Sequence, residues 1–344
     1  MDTCSLLFIC LLLSFQIQSQ QYNVTTVAFY NLENLFDIKD DDLTFDEDYT
    51  PQGKNNWTQD RLNSKLKNLA FTINKIGAEK TNLPPALLGI AEVENETVLE
   101  LLIDQKSLSK IDYDVVHFDS PDRRGIDVAL LYDRKLFKLT NAQKHYLALR
   151  NENNEPLFTR DQLCVSGYLG SELIYIIVVH WPSRRGGEKR SNPKRIEAAK
   201  LTKRITDSIY SKTSNANIIV MGDFNDNPNN DSFKKVLETT SYILKDKGAN
   251  YFYNPMELLF KKGFGSLGYR DEWSLFDQIL ISNDMLDSQG WHYWKGHIYN
   301  ANYLKQAKGK YKGYPLRTFS AGKYTAGYSD HFPVYINLIK KATE

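Results

Sequence analysis

Short apolar runs typical of buried strands recur along this chain, and they are the feature that most constrains its fold. Each is rich in β-branched or aromatic residues and is bounded by polar or turn-forming residues. The runs read "NVTTVAFYNL", "ALLGIAEV", "DVALLYD", "LIYIIVVHW", "NANIIVMGDFN", "FDQILIS" and "HFPVYINLI". No repeat, low-complexity tract or Pro/Gly-rich linker separates them. Together with helix-like segments between some of the runs, this pattern predicts a layered α/β protein with mixed sheets in a single domain over residues 21–344.

Two helices are predicted between these runs. In the first, apolar residues recur at the three- and four-residue spacing of an amphipathic helix. These residues are Leu62, Leu66, Leu69, Ile73 and Ile76. The second helix follows "VVHWPS", with Ser191 or Asn192 as its N-cap and Pro193 in its first turn, where proline is tolerated.

Residues 1–20 have features of a secretory signal peptide. Residues 6–13 form an unbroken apolar run followed by polar residues, and such a run is too short to span a bilayer, which needs about 20 residues. Asp2 and the absence of Lys or Arg at the start depart from the usual basic beginning. We therefore expect a secreted or periplasmic protein with no integral membrane segment after signal removal. The alternative is a buried N-terminal strand.

Charge and cysteine content narrow the classes of function. The chain has 43 Lys and Arg against 42 Asp and Glu, and a net charge of +1 makes no case for non-specific binding to polyanions. Phosphate recognition would therefore depend on local clusters. Cys4 and Cys10 would leave with the signal, so the mature chain would keep only Cys164 and no internal disulfide. We expect Cys164 to be buried and the mature chain to be a monomer.

Polar residues with metal-ligating or acid–base side chains recur where the apolar runs end. Singly, each is most simply a cap or turn residue. Six such places are harder to explain in that way, because strand ends in an α/β protein can converge on one rim, where ligands bind. The residues are Asn31, Glu33, Glu92, Glu94, Asn95, His180, Asp223, Asn225, Asp277, Asp330 and His331. Hard oxygen ligands without cysteine favour Mg²⁺ or Mn²⁺, with Ca²⁺ as an alternative, and argue against structural zinc.

Six motifs also occur in the order known from one superfamily. They are "FYNLEN", "GIAEVEN", "VVHWPS", "MGDFNDNP", "FDQILIS" and "SDHFPV". Over residues 31–331 the chain resembles the endonuclease/exonuclease/phosphatase superfamily, as a secreted bacterial-type member. That group includes pancreatic-type deoxyribonucleases, abasic-site endonucleases, neutral sphingomyelinases and inositol polyphosphate 5-phosphatases. The resemblance implies a deoxyribonuclease I-like fold, which is a four-layered α/β sandwich with two packed mixed β-sheets flanked by helices.

The resemblance also implies a metal site. Glu92 matches the main metal ligand of the superfamily, with Asn31 beside it and Asp330 assisting. Glu33 falls where abasic endonucleases have an acid, which makes it a weaker candidate for a second ligand. A magnesium-type site needs only one or two carboxylates together with substrate phosphate and water, so the remaining acids would be free for other roles.

Five further residues match catalytic positions of the superfamily. Asp223 would align or deprotonate the attacking water, and Asn225 would hold a phosphate oxygen. His331 would bind or protonate the phosphate, oriented by Asp277. His180 matches the second histidine of the deoxyribonuclease and sphingomyelinase branches, whereas abasic endonucleases usually have an amide there. The resemblance therefore favours the deoxyribonuclease and sphingomyelinase branches over the abasic endonucleases.

Basic and aromatic segments surround these residues. Arg160 resembles a family arginine that contacts phosphate, and Arg184 and Arg185 follow His180 in the basic stretch "WPSRRGGEKRSNPKR". Such a stretch can attract a phosphate backbone, although basic loops are often only solvated. Residues 264–273 and 316–330 are rich in aromatic residues and glycine, which suits stacking on bases or sugars and equally suits packing in the core or a lid.

These residues predict a divalent-metal-dependent phosphodiester hydrolase, with nucleic acid as the expected partner and a nuclease as the expected class. Charge builds on phosphate oxygens during hydrolysis, and metal, imidazolium and amide donors neutralise it. One alternative is the same chemistry on a phospholipid such as sphingomyelin or on an inositol or sugar phosphate. No long apolar hairpin supports a lipid substrate. The other alternative is a non-catalytic binding protein on the same scaffold, although every expected catalytic position is filled.

Overall fold

The computed structural model describes residues 21–244, 250–286 and 289–342. The predicted signal peptide, residues 1–20, lies outside the described residues. Within the described ranges, no helix has both the length and the apolar character needed to cross a membrane. Cys164 is buried and carries a free thiol, as the sequence predicts.

The described residues form strands and helices in alternation. The strands are β1 (Tyr22–Leu35), β2 (Leu87–Val93), β3 (Tyr113–His117), β4 (Asp127–Asp133), β5 (Phe137–His145), β6 (Leu149–Arg150), β7 (Pro156–Leu157), β8 (Gln162–Leu169), β9 (Glu172–His180), β10 (Asn217–Asp223), β11 (Phe252–Tyr253), β12 (Leu267–Tyr269), β13 (Glu272–Ser274), β14 (Asp277–Ser282), β15 (His292–Ile298), β16 (Phe319–Ser320), β17 (Lys323–Tyr324) and β18 (Val334–Lys341). The helices are α1 (Gln59–Ile73), α2 (Ala78–Thr81), α3 (Glu96–Ile103), α4 (Glu188–Lys212) and α5 (Pro255–Lys261), with a π-helical turn at Ser232–Val236.

Two six-stranded sheets contain most of the strands. The first has the order β15-β18-β1-β2-β4-β3, and the second has the order β11-β14-β10-β9-β8-β5. Strands β1 and β2 are parallel, as are β9 and β10, whereas the other pairs in both sheets are antiparallel. Both sheets are therefore mixed, as predicted.

Three apolar clusters hold four layers together. Because side chains alternate between the two faces of a strand, Val27 and Phe29 of β1 pack between the sheets, whereas Ala28 and Tyr30 pack against α1 and α3. A third cluster joins α4 to the outer face of the second sheet. The four-layered sandwich with helices on both outer faces is confirmed. Gly89 permits close approach of the sheets, since a Cβ atom there would lie 2.7 Å from the sulfur of Met221.

Helix α4 begins earlier than predicted. Neither Ser191 nor Asn192 is the N-cap, because the helix starts at Glu188, after Gly187, and Pro193 lies within it. The Ser191 hydroxyl instead donates to the Gly187 carbonyl at 2.8 Å. The Arg195 guanidinium holds this first turn together, since it donates to Ser191 Oγ at 2.7 Å and to the Glu188 carbonyl at 3.2 Å. These side-chain contacts extend the helix beyond the boundary that proline suggests.

Strand direction brings the polar strand ends to one edge of the sandwich. Asp223 at the end of β10 lies in register with His180 at the end of parallel β9 and with Asp277 at the start of antiparallel β14. In the other sheet, Asn31 pairs in register with Ala91, directly before Glu92. Strand β18 runs antiparallel to β1, so the residues that precede it reach the same edge.

Candidate active site

Asp223 lies at the centre of this edge and is almost fully buried. Its Oδ2 atom accepts a hydrogen bond from Asn31 Nδ2 at 3.2 Å. The Nε2 atoms of His180 and His331 lie 3.5 Å and 4.0 Å from the same oxygen. One carboxylate oxygen therefore links the two sheets and both predicted histidines.

A bulge in β1 and an unusual backbone at β2 shape the side of the site formed by the first sheet. The register of β1 shifts between Asn31 and Leu35, and Glu33, Asn34 and Glu92 all have left-handed φ values between 52° and 61°. The Asn34 amide donates to Glu92 Oε2 at 3.1 Å, and the Glu33 amide donates to Asn31 Oδ1 at 2.9 Å. Bulges commonly redirect side chains beside functional sites, and here they fix the oxygens of Asn31 and Glu92.

His331 is paired with Asp277. Its Nδ1 atom lies 2.6 Å from Asp277 Oδ2, and the Ser266 hydroxyl donates to the same oxygen. Burial alone would lower the pKa of the His331 imidazole, but the carboxylates of Asp277 and Asp330 outweigh burial and raise it well above its usual value. His331 is therefore a charged donor whose Nε2 atom faces Asp223.

For Asp223 and His180, in contrast, burial shifts the pKa in the direction that favours the neutral form. Burial raises the pKa of Asp223 to about 7, although the His331 charge opposes this shift. Burial lowers the pKa of His180 well below its usual value, and the charges of Arg160 and Arg124 add to the effect. His180 is therefore a neutral imidazole. Its Nδ1 atom has no hydrogen-bond partner within the described part of the chain.

The turn after β10 holds Asn225 next to Asp223. Asn225 has a left-handed φ of 50°, and its amide donates to Asp223 Oδ1 at 2.9 Å. Its side-chain Nδ2 donates to the Trp181 carbonyl at 3.0 Å, and its own carbonyl accepts from Arg184 Nε at 2.9 Å. The polar stretch after the strand therefore serves both as a turn and as part of the site.

Asp330 is part of a network of charged side chains that adjoins His331. Its Oδ1 atom lies 3.9 Å from His331 Nε2, and its other oxygen accepts a hydrogen bond from Arg317. Arg317 Nε lies 3.5 Å from Glu33 Oε1, and Lys65 Nζ lies 3.7 Å from Glu33 Oε2. Burial, together with the Asp330 charge, raises the pKa of Glu33 to about 7.

The predicted substrate-binding arginines occupy different environments. Arg160 is buried, donates to Asp122 at 2.9 Å and to the Trp181 carbonyl at 2.7 Å, and lies close enough to His180 to lower its pKa. Arg184 contacts Asp226 at 3.3 Å and Glu188 at 2.8 Å, so it fixes the turn after β10 to α4. Arg185 is exposed before α4.

Lys65, Arg317 and Ser266 were not predicted from the sequence. Lys65 is fully buried on α1, where a charged residue interrupts the apolar stripe of Leu62, Leu66 and Leu69. That interruption is a detectable signal for a functional or strongly paired lysine. Arg317 and Ser266 lie in loops without any motif that would indicate their contacts with Asp330 and Asp277.

The donor set fits a hard divalent cation. Glu92 and Asn31 present oxygens at the edge of the first sheet, and the Glu92 side chain is 16% exposed, so that ions and water can reach it. The ligand atoms of Asp223, Asp277 and His331 lie within 4.8 Å of one another and form a group that could hold a metal ion. Asp277 is fully buried and paired with His331 at 2.6 Å, whereas Glu92 is open to ions, so Glu92 with Asn31 on the adjacent strand fits a metal better.

Two packed mixed sheets flanked by helices, with acidic and imidazole groups at one edge, define the deoxyribonuclease I-like class of α/β sandwiches. A sequence model described as the Endonuclease/Exonuclease/phosphatase family matches residues 26–340. The chain belongs to this family. The group of buried carboxylates and imidazole at the sheet edge agrees with a phosphoester hydrolase. Among curated proteins, no significant match was found.

Solved structures show the same fold at low sequence identity. Humanized TDP2 from D. rerio is 12% identical with a TM-score of 0.54, and the alignment covers 92% of this chain and 98% of that chain. A family protein from Bacteroides thetaiotaomicron is 15% identical with a TM-score of 0.52, covering 94% and 100%. The mannosyl-6-phosphatase from Bacteroides thetaiotaomicron VPI-5482 is 16% identical with a TM-score of 0.51, covering 91% and 99%. At these identities the likeness shows the fold.

Proposed function

We propose that this chain is a divalent-metal-dependent phosphodiester hydrolase that cleaves nucleic acid. The observation that carries the proposal is the line of buried groups from Asp277 through His331 to Asp223, beside the oxygens of Glu92 and Asn31. The distances along this line are 2.6 Å from Asp277 Oδ2 to His331 Nδ1 and 4.0 Å from His331 Nε2 to Asp223 Oδ2. The pKa values of Asp223 and His331 are both raised above their usual values, and perturbed pKa values within one cleft are typical of acid–base sites.

The geometry suits phosphodiester hydrolysis as follows. Asp223 would orient the attacking water and accept its proton, since its raised pKa matches proton transfer near neutral pH. Asn31 holds Asp223 for this role through a hydrogen bond of 3.2 Å. His331, kept protonated by Asp277, would neutralise charge on a phosphate oxygen or give a proton to the leaving group. Neutral His180 would place its Nε2 atom against the same phosphate.

Glu92 and Asn31 would hold the metal. Mg²⁺ or Mn²⁺, with Ca²⁺ as an alternative, would supply Lewis-acid polarisation of the phosphoryl oxygen. Asp330 is engaged by Arg317, so its contribution is to anchor the segment that carries His331. We propose Asn225 as a donor to phosphate after release from the Trp181 carbonyl.

The proposal extends to substrate and location. Nucleic acid is favoured because no long apolar hairpin suited to a lipid surface was found in the sequence, and because exposed Arg185 lies in a basic stretch beside His180. We also propose export, on the basis of residues 1–20, and a monomeric catalytic domain. Phospholipids and inositol or sugar phosphates are the competing substrates, and they enter the test below.

The test is hydrolysis of a substrate panel by a protein that begins at residue 21. The panel holds plasmid DNA, RNA, sphingomyelin, an inositol polyphosphate, a mannose phosphate and a chromogenic phosphodiester, each with Mg²⁺, Mn²⁺, Ca²⁺ or EDTA. We expect metal-dependent cleavage of nucleic acid, and a loss of about 10²–10⁴-fold in His331→Ala. His292→Ala is the matched control. His292 lies on β15, at the end of the strand that is far from His331, where it pairs with Ile339 of β18. Full activity in both His331→Ala and Asp223→Asn would refute the proposal.

A further inference from the structure

We propose that a cavity beside Asp330 is a nucleobase-binding subsite, which makes the substrate a nucleoside phosphodiester. The cavity has a volume of about 470 Å³, within the range of small-ligand pockets. Both Asp330 and Arg317 line it. This inference rests on the proposed function, because it assigns the group that extends from the phosphate held at Asp223 and His331.

Aromatic rings connect the catalytic edge to this cavity. Phe332, next to His331, stacks on Trp273 with ring centroids 5.9 Å apart and planes 17° apart. Trp273 contacts Tyr314 at 5.4 Å, and Tyr314 contacts Tyr311 at 5.8 Å. The rings form a continuous series from the buried core near His331 to the solvent-exposed end of the cavity.

The tyrosines of the cavity are left accessible by the fold. Tyr269 is 62% exposed and Tyr311 is 42% exposed, with Arg270 5.2 Å and Lys310 5.7 Å from the respective ring centroids. Together with Tyr314 they present three rings to one cavity. Nucleobases stack on such rings irrespective of sequence, because every base has a π-face. Gln306, which also lines the cavity, offers an amide that can hydrogen-bond to the edge of a base.

The net positive charge of the cavity lining also favours binding of a phosphodiester substrate. Its lining includes three cations, Arg270, Lys310 and Arg317, against the two carboxylates of Asp271 and Asp330. A larger cavity of about 1030 Å³, whose lining includes Glu94 and Asp122, has eight carboxylates and two cations. A polyanionic chain would be repelled there. The tyrosine cavity can accept both the base and the next phosphate.

The backbone holds the cavity wall in a strained form. Strands β12 and β13 are joined by Arg270 and Asp271, which both have left-handed φ values, 50° and 64°, where Asn or Gly is usual. Gly268 lies so close to Tyr314 that a Cβ atom would come within 2.8 Å of its ring. Strained backbone of this kind persists mainly at functional sites. The turn places Arg270 on the cavity while Gly268 lets Tyr314 pack closely.

The test is a substrate–enzyme double-mutant cycle with Mg²⁺ present. Short single-stranded DNA oligonucleotides are made in which one base at a time is replaced by a tetrahydrofuran abasic residue. We expect loss of one base, at a fixed position relative to the cleaved bond, to lower kcat/KM about 10-fold. Tyr311→Ala should lower kcat/KM by a similar factor on the intact oligonucleotide and cause no further loss on that abasic one.

Two surface variants, Tyr311→Ala and Lys310→Ala, test the cavity without disturbing the folded core. Tyr311 is exposed, so Tyr311→Ala is expected to fold, which circular dichroism can check; Lys310→Ala provides a second probe of the same cavity. Tyr168→Ala is the matched control, since Tyr168 is also 42% exposed but lies on β8.

The outcomes separate the two proposals. Equal rates on intact and abasic oligonucleotides, or additive losses in the cycle, would overturn the subsite. Cleavage of a lipid or small ester but of no oligonucleotide would also overturn it and would leave a phosphoester hydrolase. If folded protein with metal hydrolyses nothing in the panel, the proposed function itself fails.

Discussion

The Nδ1 atom of His331 lies 2.6 Å from the Oδ2 atom of Asp277, although one residue belongs to the second sheet and the other to the segment that leads into the first. Asp277 opens β14 in the second sheet, and His331 precedes β18 in the first. Both side chains are buried. The pair therefore does two things at once: it joins the two sides of the candidate active site, and it favours a protonated imidazole in a buried position.

The first prediction concerns the pH dependence that this pair creates. Because the Asp277 carboxylate raises the pKa of His331, the protonated imidazole is present below the raised pKa and is lost as pH rises through it. Replacing Asp277 by Asn removes that support while burial still opposes the charge. We expect Asp277→Asn to move the alkaline limb of the kcat/KM–pH profile to lower pH and to reduce kcat/KM at pH 8 by about 10²–10⁴-fold.

The matched control for this measurement is Asp207→Asn. Asp207 is exposed on α4, where it pairs only with Lys203 among its described neighbours at 3.1 Å. Its replacement should leave the profile unchanged. An unshifted alkaline limb in Asp277→Asn, with the protein shown to be folded, would contradict a protonated His331 as the working form.

A second prediction concerns the metal. Glu92 offers an oxygen that is partly exposed and oriented by the Asn34 amide at 3.1 Å. We expect Glu92→Gln to raise the Mg²⁺ concentration needed for half-maximal activity by at least about 10-fold. The rise in Tm that Mg²⁺ confers on the wild type should shrink in parallel, because an ion that binds the folded state stabilises it. Glu100→Gln on α3 is the control, and equal Mg²⁺ dependence in both variants would move the metal away from Glu92.

Much of the fold and of the candidate site could be predicted, because an apolar run indicates a strand and the polar residues beside it indicate a site. The apolar run before Asp223 predicts a buried strand, and the polar residues after it predict a functional turn. His180 likewise ends an apolar run, whereas Asp277 begins one. The predicted start of α4 was wrong. Pro193 indicated a boundary from local sequence, whereas Arg195 stabilises an earlier first turn through its contacts with Ser191 and Glu188. Lys65 contacts Thr318, 253 positions away, and only the folded chain brings such residues together.

A third prediction tests the buried ion pair beneath the turn after β10. Arg195 Nε donates to Asp226 Oδ1 at 2.6 Å, and neither side chain is exposed. Burial lowers the pKa of Arg195 and raises the pKa of Asp226, so each charge depends on the other. We expect Arg195→Met to lower the free energy of unfolding by about 3–5 kcal/mol, because it leaves the Asp226 charge buried without its partner.

Denaturant unfolding at pH 7 measures this effect. Arg204→Met on the same helix is the control, since Arg204 is exposed, and it should change the free energy of unfolding by less than about 0.5 kcal/mol. The double variant Arg195→Met/Asp226→Leu should recover part of the loss, because no unpaired charge remains. Equal stability of Arg195→Met and the wild type would show that Asp226 finds enough support from Ser232 and Arg184.

The last prediction concerns Lys65, the buried lysine that contacts the segment leading to Asp330 and His331. Its Nζ atom donates to Thr318 Oγ1 at 2.6 Å and to the Tyr328 carbonyl at 2.7 Å, two residues from Asp330. Lys65→Met would leave these buried acceptors without their donor and Glu33 with Arg317 but without Lys65, so we expect a loss of about 3–5 kcal/mol in the free energy of unfolding. At temperatures where the variant stays folded, kcat should fall more than KM changes, because the segment bearing Asp330 and His331 loses its anchor. Lys67→Met, an exposed change on the same helix, should do neither; if Lys65→Met matched it in both kcat and stability, Lys65 would be a passive buried residue.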